Sequence, residues 1–135
     1  MVSSGYEELD HTADIALRVW GEDFFALLRQ SARGMYDLMG VKGDWKVRKK
    51  VEFIIEESNR EIQLVDFLNE VLYLIEDDGT IVETFTFSSD QSGLRVHGSG
   101  YEAKSIQRNI KAVTFHNLVV EETDFRLETR ITFDV

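Results

Sequence analysis

The sequence predicts an α+β fold, with two helices packed on one face of a curved, mostly antiparallel sheet of about six strands. Three observations point there. Two stretches, after Gly21 and after Ser58, repeat apolar residues at every third or fourth position, which is the helical period. Several others alternate apolar and polar residues, as half-buried antiparallel strands do. The last strand patterns also follow one another with no helix between them, which favours α+β over a βαβ series. At 135 residues, with 43% hydrophobic and 11% aromatic residues, the chain suits one domain spanning 1–135, because single cores are commonly built from roughly 100–200 residues.

The first clear strand pattern is Ile15-Ala16-Leu17-Arg18-Val19-Trp20. Gly21-Glu22-Asp23 then opens a helix whose apolar residues are Phe24, Leu27, Leu28, Ala32, Met35, Leu38 and Met39. The acidic pair suits the positive end of the helix dipole, and Gly40 supplies a stop. Residues 51–56 read as a strand. Ser58-Asn59-Arg60-Glu61 matches a capping box with Ser58 as the cap. The helix that follows, ending at Asp77-Asp78-Gly79, is apolar around more than half its circumference and should be buried on more than one side. Strands are predicted at 81–88 and 94–101, joined by a turn at 89–93. Two more are predicted at 111–120 and 125–134, separated by Glu121-Glu122-Thr123-Asp124. In the last, Leu127, Thr129, Ile131 and Phe133 share one face, and Arg126, Glu128, Arg130 and Asp134 the other.

Cysteine is absent, so there is no disulfide framework, thiolate metal site or thiol nucleophile. No apolar run approaches the ~18–20 residues that span a membrane, and Met1-Val2-Ser3-Ser4-Gly5-Tyr6 does not read as a signal peptide. The expectation is a soluble, cytoplasmic protein. Twenty-five acidic against fifteen basic residues give a net charge of −10. Such a surface disfavours tight RNA binding by the chain alone, since affinity for a polyanion rests on Lys and Arg at the phosphates. One basic cluster stands out: Lys42, Lys46, Arg48, Lys49 and Lys50. It reads either as a solvated loop leading into a strand or as a contact to RNA or a protein partner.

Two segments carry candidate site residues. Asp10-His11-Thr12-Ala13-Asp14 packs two carboxylates and an imidazole directly before a strand, and Phe133-Asp134-Val135 places an aspartate beside the last residue's carboxyl group. Oxygen-rich strand ends suit a hard cation such as Ca²⁺, which takes about six to eight oxygen ligands. The other reading is local: Asp10 and Thr12 make turns through side-chain-to-backbone hydrogen bonds, and the chain end is simply solvated. Lys111, His97 and His116 carry no signal singly. His97-Gly98-Ser99-Gly100 lacks the strand–GxGxxG–helix context of a phosphate loop and marks a bulge or close backbone approach. Asp77-Asp78-Gly79 is not an EF-hand loop, and no catalytic triad order or P-loop is present. No catalytic residue is assigned.

Taken in order, five segments resemble the archease family over nearly the whole chain. They are Asp10-His11-Thr12-Ala13-Asp14 with Gly21-Glu22, the helix from Leu64 to Tyr73, the Gly98/Gly100 strand, Ile110-Lys111-Ala112-Val113-Thr114-Phe115-His116, and the closing Phe133-Asp134-Val135. The resemblance implies an α+β fold and a divalent cation, Ca²⁺, held by Asp14, Asp134 and the terminal carboxylate of Val135. Lys111 would sit near that site and serve activation, with His11 and Asp10 behind the ligands. It also implies a non-enzymatic partner of the GTP-dependent RNA-splicing ligase, promoting ligase guanylylation and repeated turnover in tRNA splicing or RNA repair. RNA would then be reached only through the ligase. The family often has Tyr where this chain has Phe115, which leaves the implied ligands untouched. Two rival classes are a metal-dependent phosphoester hydrolase with His11 as base and an RNA-processing chaperone or adaptor.

Overall fold

The computed structural model describes residues 4–9 and 15–135. In chain order the elements are β1 (Gly5–Leu9), β2 (Ile15–Gly21), α1 (Phe24–Met39), β3 (Lys42–Glu56), α2 (Arg60–Asp77), β4 (Thr80–Asp90), β5 (Gly93–Ser105), β6 (Ala112–Thr114), β7 (Glu121–Thr123) and β8 (Arg126–Asp134). The α+β class stands. The strands, however, divide into two sheets rather than one. A five-stranded sheet runs β1-β2-β8-β6, with β7 also paired to β8, and a three-stranded sheet runs β3-β5-β4. Every pairing is antiparallel. Alternation tells which residues face a core but not which strands share a sheet.

Each helix touches both sheets. Gly34 of α1 lies against Leu17 and Tyr6 of the larger sheet, while Phe25 of the same helix stacks on Phe87 of the smaller one, with ring centroids 5.3 Å apart. On α2, fully buried Phe67 packs against Phe53, Phe85 and Phe87 at 6.3, 5.2 and 5.5 Å. These rings join a contiguous apolar core that also takes in Leu17, Val19, Ile131 and Phe133. The buried Tyr36 hydroxyl accepts a hydrogen bond from the Val82 N–H at 2.9 Å, and Arg29 donates to the Phe85 carbonyl at 3.3 Å. Side chains of α1 thus cover backbone groups of edge strand β4, which would otherwise be open to pairing with another chain.

Helix α1 starts and stops as expected. Asp23 accepts from the Ala26 N–H at 2.8 Å, and Gly40 closes the helix in the left-handed region at φ 61°. Helix α2 is capped one residue later than predicted. Asn59, not Ser58, accepts from the Ile62 N–H at 2.9 Å, because Asn caps as well as Ser. Glu61 leaves the expected capping box and accepts from the Val120 N–H at 2.8 Å.

Four further expectations are corrected. The basic cluster is not a loop: strand β3 runs through it, interrupted by a bulge at 45–47. The predicted strand at 111–120 survives only as β6, since Asn117 takes φ 55° and the Leu118 N–H turns back to the Phe115 carbonyl. Glu121–Thr123 is itself a strand and β1 is an additional one. Both carry little apolar alternation, because an edge strand can be held by its backbone ladder. The glycine expectation fits: a Cβ at Gly98 would lie 2.7 Å from Val82, and one at Gly100 would overlap the Ile81 carbonyl. The bulge in β4 falls beside them, between Val82 and Thr84. Among the described residues, no helix is long and apolar enough to cross a membrane.

Candidate functional site

The candidate site forms where three strand ends come level. Phe133, fully buried, anchors the end of β8. Strand alternation then turns Asp134 outward, where it is exposed together with Val135. Ile15, the first residue of β2, pairs with Phe133, and Ala112, the first residue of β6, pairs with Asp134. The Lys111 N–H donates to the Asp134 carbonyl at 2.7 Å. Lys111, Asp134 and Val135 are therefore brought together at one end of the larger sheet. Asp10, His11 and Asp14 lie outside the described residues.

Lys111 is exposed between two anchors, Ile110 and Val113, which are both buried. The shortness of β6 would leave it loosely held without α2. There Asn69 reaches across with both ends of its amide: Oδ1 accepts from the Val113 N–H at 3.0 Å, and Nδ2 donates to the Val113 carbonyl at 3.4 Å. Sequence reasoning missed this clamp. Its signal was weak, because Asn69 sits at the margin of the apolar face, one turn from exposed Asp66 and Tyr73. The segment after β6 is tied down by buried Leu118, by Thr129 Oγ1 donating to the Val119 carbonyl at 2.8 Å, and by Glu61 at Val120.

Charge along the outward face of β8 changes from one end to the other. Near its start, Glu128 accepts from Arg126 at 2.6 Å and from Arg18 at 3.0 Å, and Arg18 also bonds Glu7 at 3.0 Å. Burial pushes the Glu128 carboxyl up, but the two arginine hydrogen bonds outweigh it and hold the group below its ordinary value. Arg18 and Arg126 also lie over Trp20, at 4.7 and 5.5 Å from the ring centroid. Towards the end, Asp134 has no such partner among the described residues.

Asp134 offers a carboxylate, and a terminal carboxylate on Val135 would stand directly beside it, both hard oxygen donors of the kind Ca²⁺ prefers. Among the described residues, no three His, Asp or Glu side chains converge as a metal site. Thr114 Oγ1, on the strand beside this end, is buried with no hydrogen-bond partner among the described residues. The two described histidines are elsewhere. His97 is exposed on the smaller sheet, 3.8 Å from Glu52, and His116 is exposed beside Asn117.

Two helices that each touch a five-stranded and a three-stranded antiparallel sheet, with an exposed carboxylate at a strand end, define a class of small α+β proteins. The chain belongs to the archease family, whose profile matches residues 6–135. It is 32% identical to the protein archease of Thermoplasma volcanium, over 96% of this chain and 98% of that one. It is 29% identical to the protein archease of Methanopyrus kandleri, over 96% of this chain and 99% of the relative. In structure it is similar to the Thermotoga maritima archease, described as a possible chaperone, with a TM-score of 0.75 and 23% identity over 96% of both chains. That last likeness speaks to the fold.

Proposed function

We propose that this chain is a cytoplasmic, metal-binding accessory protein that activates the GTP-dependent RNA-splicing ligase, promoting its guanylylation and repeated turnover in tRNA splicing or RNA repair. The observation that supports this reading most is the meeting of Lys111, Asp134 and Val135 at one sheet end, in a chain of the archease family. Asp14, Asp134 and the terminal carboxylate of Val135 would hold Ca²⁺, with Asp10 and His11 supporting them. The ion would supply positive charge at an otherwise acidic tip. Lys111, exposed beside Asp134, would face the ligase, and no covalent step falls to this chain.

The test is to add the purified protein to the ligase with GTP and follow ligase guanylylation over successive turnovers. Stimulation is expected, and unchanged guanylylation at equimolar protein sinks the reading. The metal part is tested separately by melting in Ca²⁺. A ligand that binds only the native state stabilises it by mass action, so Asp134→Asn should shrink the Ca²⁺-dependent rise in Tm. An equal rise in wild type and variant removes Asp134 from the ligand set. Phosphoester turnover by the purified protein would favour the hydrolase class instead.

A further inference from the structure

The basic cluster has no part in that reading, and the structure gives it an unusual form. Between the pairs Asp44↔Glu102 and Arg48↔Tyr101, strand β3 carries three residues that β5 does not match: Trp45, Lys46 and Val47. A bulge of this kind at a sheet edge re-aims its side chains. Here it is built, not loose. Asp44 Oδ1 accepts from the Lys46 N–H at 3.0 Å, and Arg48 donates to the Trp45 carbonyl at 3.4 Å. Its product is a tryptophan 66% exposed to solvent, with the Lys46 ammonium 5.7 Å from the ring centroid.

Most acidic groups nearby are already engaged, the exception being Glu52, exposed on the outer face 3.8 Å from His97. Asp44 holds the bulge, Glu83 takes Arg48 at 3.2 Å, and Glu102 takes Lys104. Lys42, Lys46 and Lys50 have no carboxylate partner within ion-pair distance among the described residues. Remote charge is screened over about 10 Å at ordinary salt, so these three unpaired lysines can act locally despite the −10 total. From the bulge, Arg48 reaches Ser99 Oγ at 3.3 Å. Ser99, with Lys50, Glu52, Thr84, Thr86 and His97, lines a shallow groove across the outer face of the smaller sheet, so phosphates are held at the bulge end, away from Glu52.

We propose that the bulge at 45–47, together with Lys42, Lys46 and Lys50, is a binding site for single-stranded RNA. A flat exposed aromatic ring among cations is the platform on which unpaired bases stack while their phosphates are neutralised. The hydroxyl-lined groove beyond Arg48 offers donors and acceptors to ribose 2′-OH groups, which distinguish RNA from DNA. Stacking needs an unpaired base, so duplexes are excluded. The site is a local, salt-sensitive contact and does not make the whole surface a polyanion binder.

The experiment is fluorescence anisotropy of a labelled oligouridylate of about ten nucleotides, within the ~4–16 nucleotides such sites cover. At low salt it should bind, and log K should fall against log salt with a slope of about −2, since each of three neutralised phosphates contributes about −0.7. Trp45→Ala should weaken binding at least about five-fold, the low end for losing one stacked base. Trp45→Phe should retain most of the affinity. Lys46→Ala should flatten the salt slope by about 0.7. Unaltered thermal melts will show that the variants are folded. The proposal is overturned if Trp45→Ala binds like wild type, if an abasic sugar-phosphate strand binds equally well, or if oligodeoxyuridylate is not disfavoured. Trp45-dependent capture of polyglutamate with affinity equal to the RNA would also overturn it, and would make the patch a docking site for acidic protein.

Discussion

The two sheets settle their outward charges in opposite ways. On the larger sheet, Arg18, Arg126, Glu7 and Glu128 bond one another around Trp20. On the bulged edge of the smaller sheet, Lys42, Lys46 and Lys50 stand beside Trp45 without a carboxylate partner among the described residues. Charges that satisfy each other hold strands in register and have little left for a ligand. Unpaired cations beside an exposed ring contribute little to folding and keep their full attraction for an incoming anion. A cationic cluster is thus informative in proportion to how few of its members are already bonded.

Helix α2 ties the two sheets together, so their independence is tested at that helix. Phe67 sits on α2 at the centre of four packed rings, and α2 also holds β6 of the other sheet through Asn69. Phe67→Ala should cost about 3–5 kcal/mol, as large-to-small changes of buried aromatics do. Amide hydrogen exchange should then lose protection in β2 and β8 as well as in β4 and β5. Loss confined to the smaller sheet would mean that the sheets unfold separately.

A smaller effect is expected at Asn69. Asn69→Ala removes both partners of the Val113 backbone and leaves its N–H unsatisfied, which costs about 1–3 kcal/mol when such a group is buried. Urea unfolding will measure this. Exchange of the amides at 111–114 should quicken more than exchange in the smaller sheet. If it does not, β6 and the strand end beside Asp134 are held by the β8 ladder alone.

Much of the fold was legible because burial imposes a period. Leu127, Ile131 and Phe133 are buried as their alternation predicts, and Asp23 and Gly40 bound α1 where their chemistry says they should. What stayed hidden depends on partners that no local pattern encodes. Glu121 and Glu122 form a strand through backbone pairing alone, and nothing in the order of strands announces two sheets. The bulge escaped because the cluster Lys42, Lys46, Arg48, Lys49 and Lys50 reads as a solvated loop, while the irregularity is set inside a strand. For the site, the resemblance singled out Lys111 and Asp134, and the backbone bond between them is structural. The amide that positions Val113 stands at the margin of the apolar face of α2, where a polar residue is ordinary and marks nothing.

A pH effect should separate the two outer faces. Arginine hydrogen bonds outweigh burial and depress the Glu128 carboxyl in the folded state. A group with a lowered folded pKa stabilises above its unfolded pKa of about 4.3 and loses that contribution as pH falls through the lower folded value. The stability of wild type should therefore drop on acidification more steeply than that of Glu128→Gln, which lacks the titrating group. At neutral pH the variant should be less stable by no more than about 1 kcal/mol, because the pair is partly exposed. Parallel acid profiles would show that the paired face is decorative.

The two tryptophans differ in how much of each ring is held by the protein. Two arginines lie over the Trp20 ring, which also packs on the backbone of Gly5, where a Cβ would sit only 2.7 Å from it. Trp45 has a single lysine near its ring and is 66% exposed. Trp45→Ala should leave stability within about 0.5 kcal/mol, as surface substitutions do, whereas Trp20→Ala should cost clearly more, since it removes an aromatic surface in contact with Gly5 and two guanidinium groups. Acrylamide should likewise quench Trp45 more readily than Trp20, measured in the two variants that each retain one tryptophan. If Trp45→Ala proved as costly as Trp20→Ala, the bulge would be part of what holds the smaller sheet together, and its exposed ring could no longer be counted as surface kept free for a ligand.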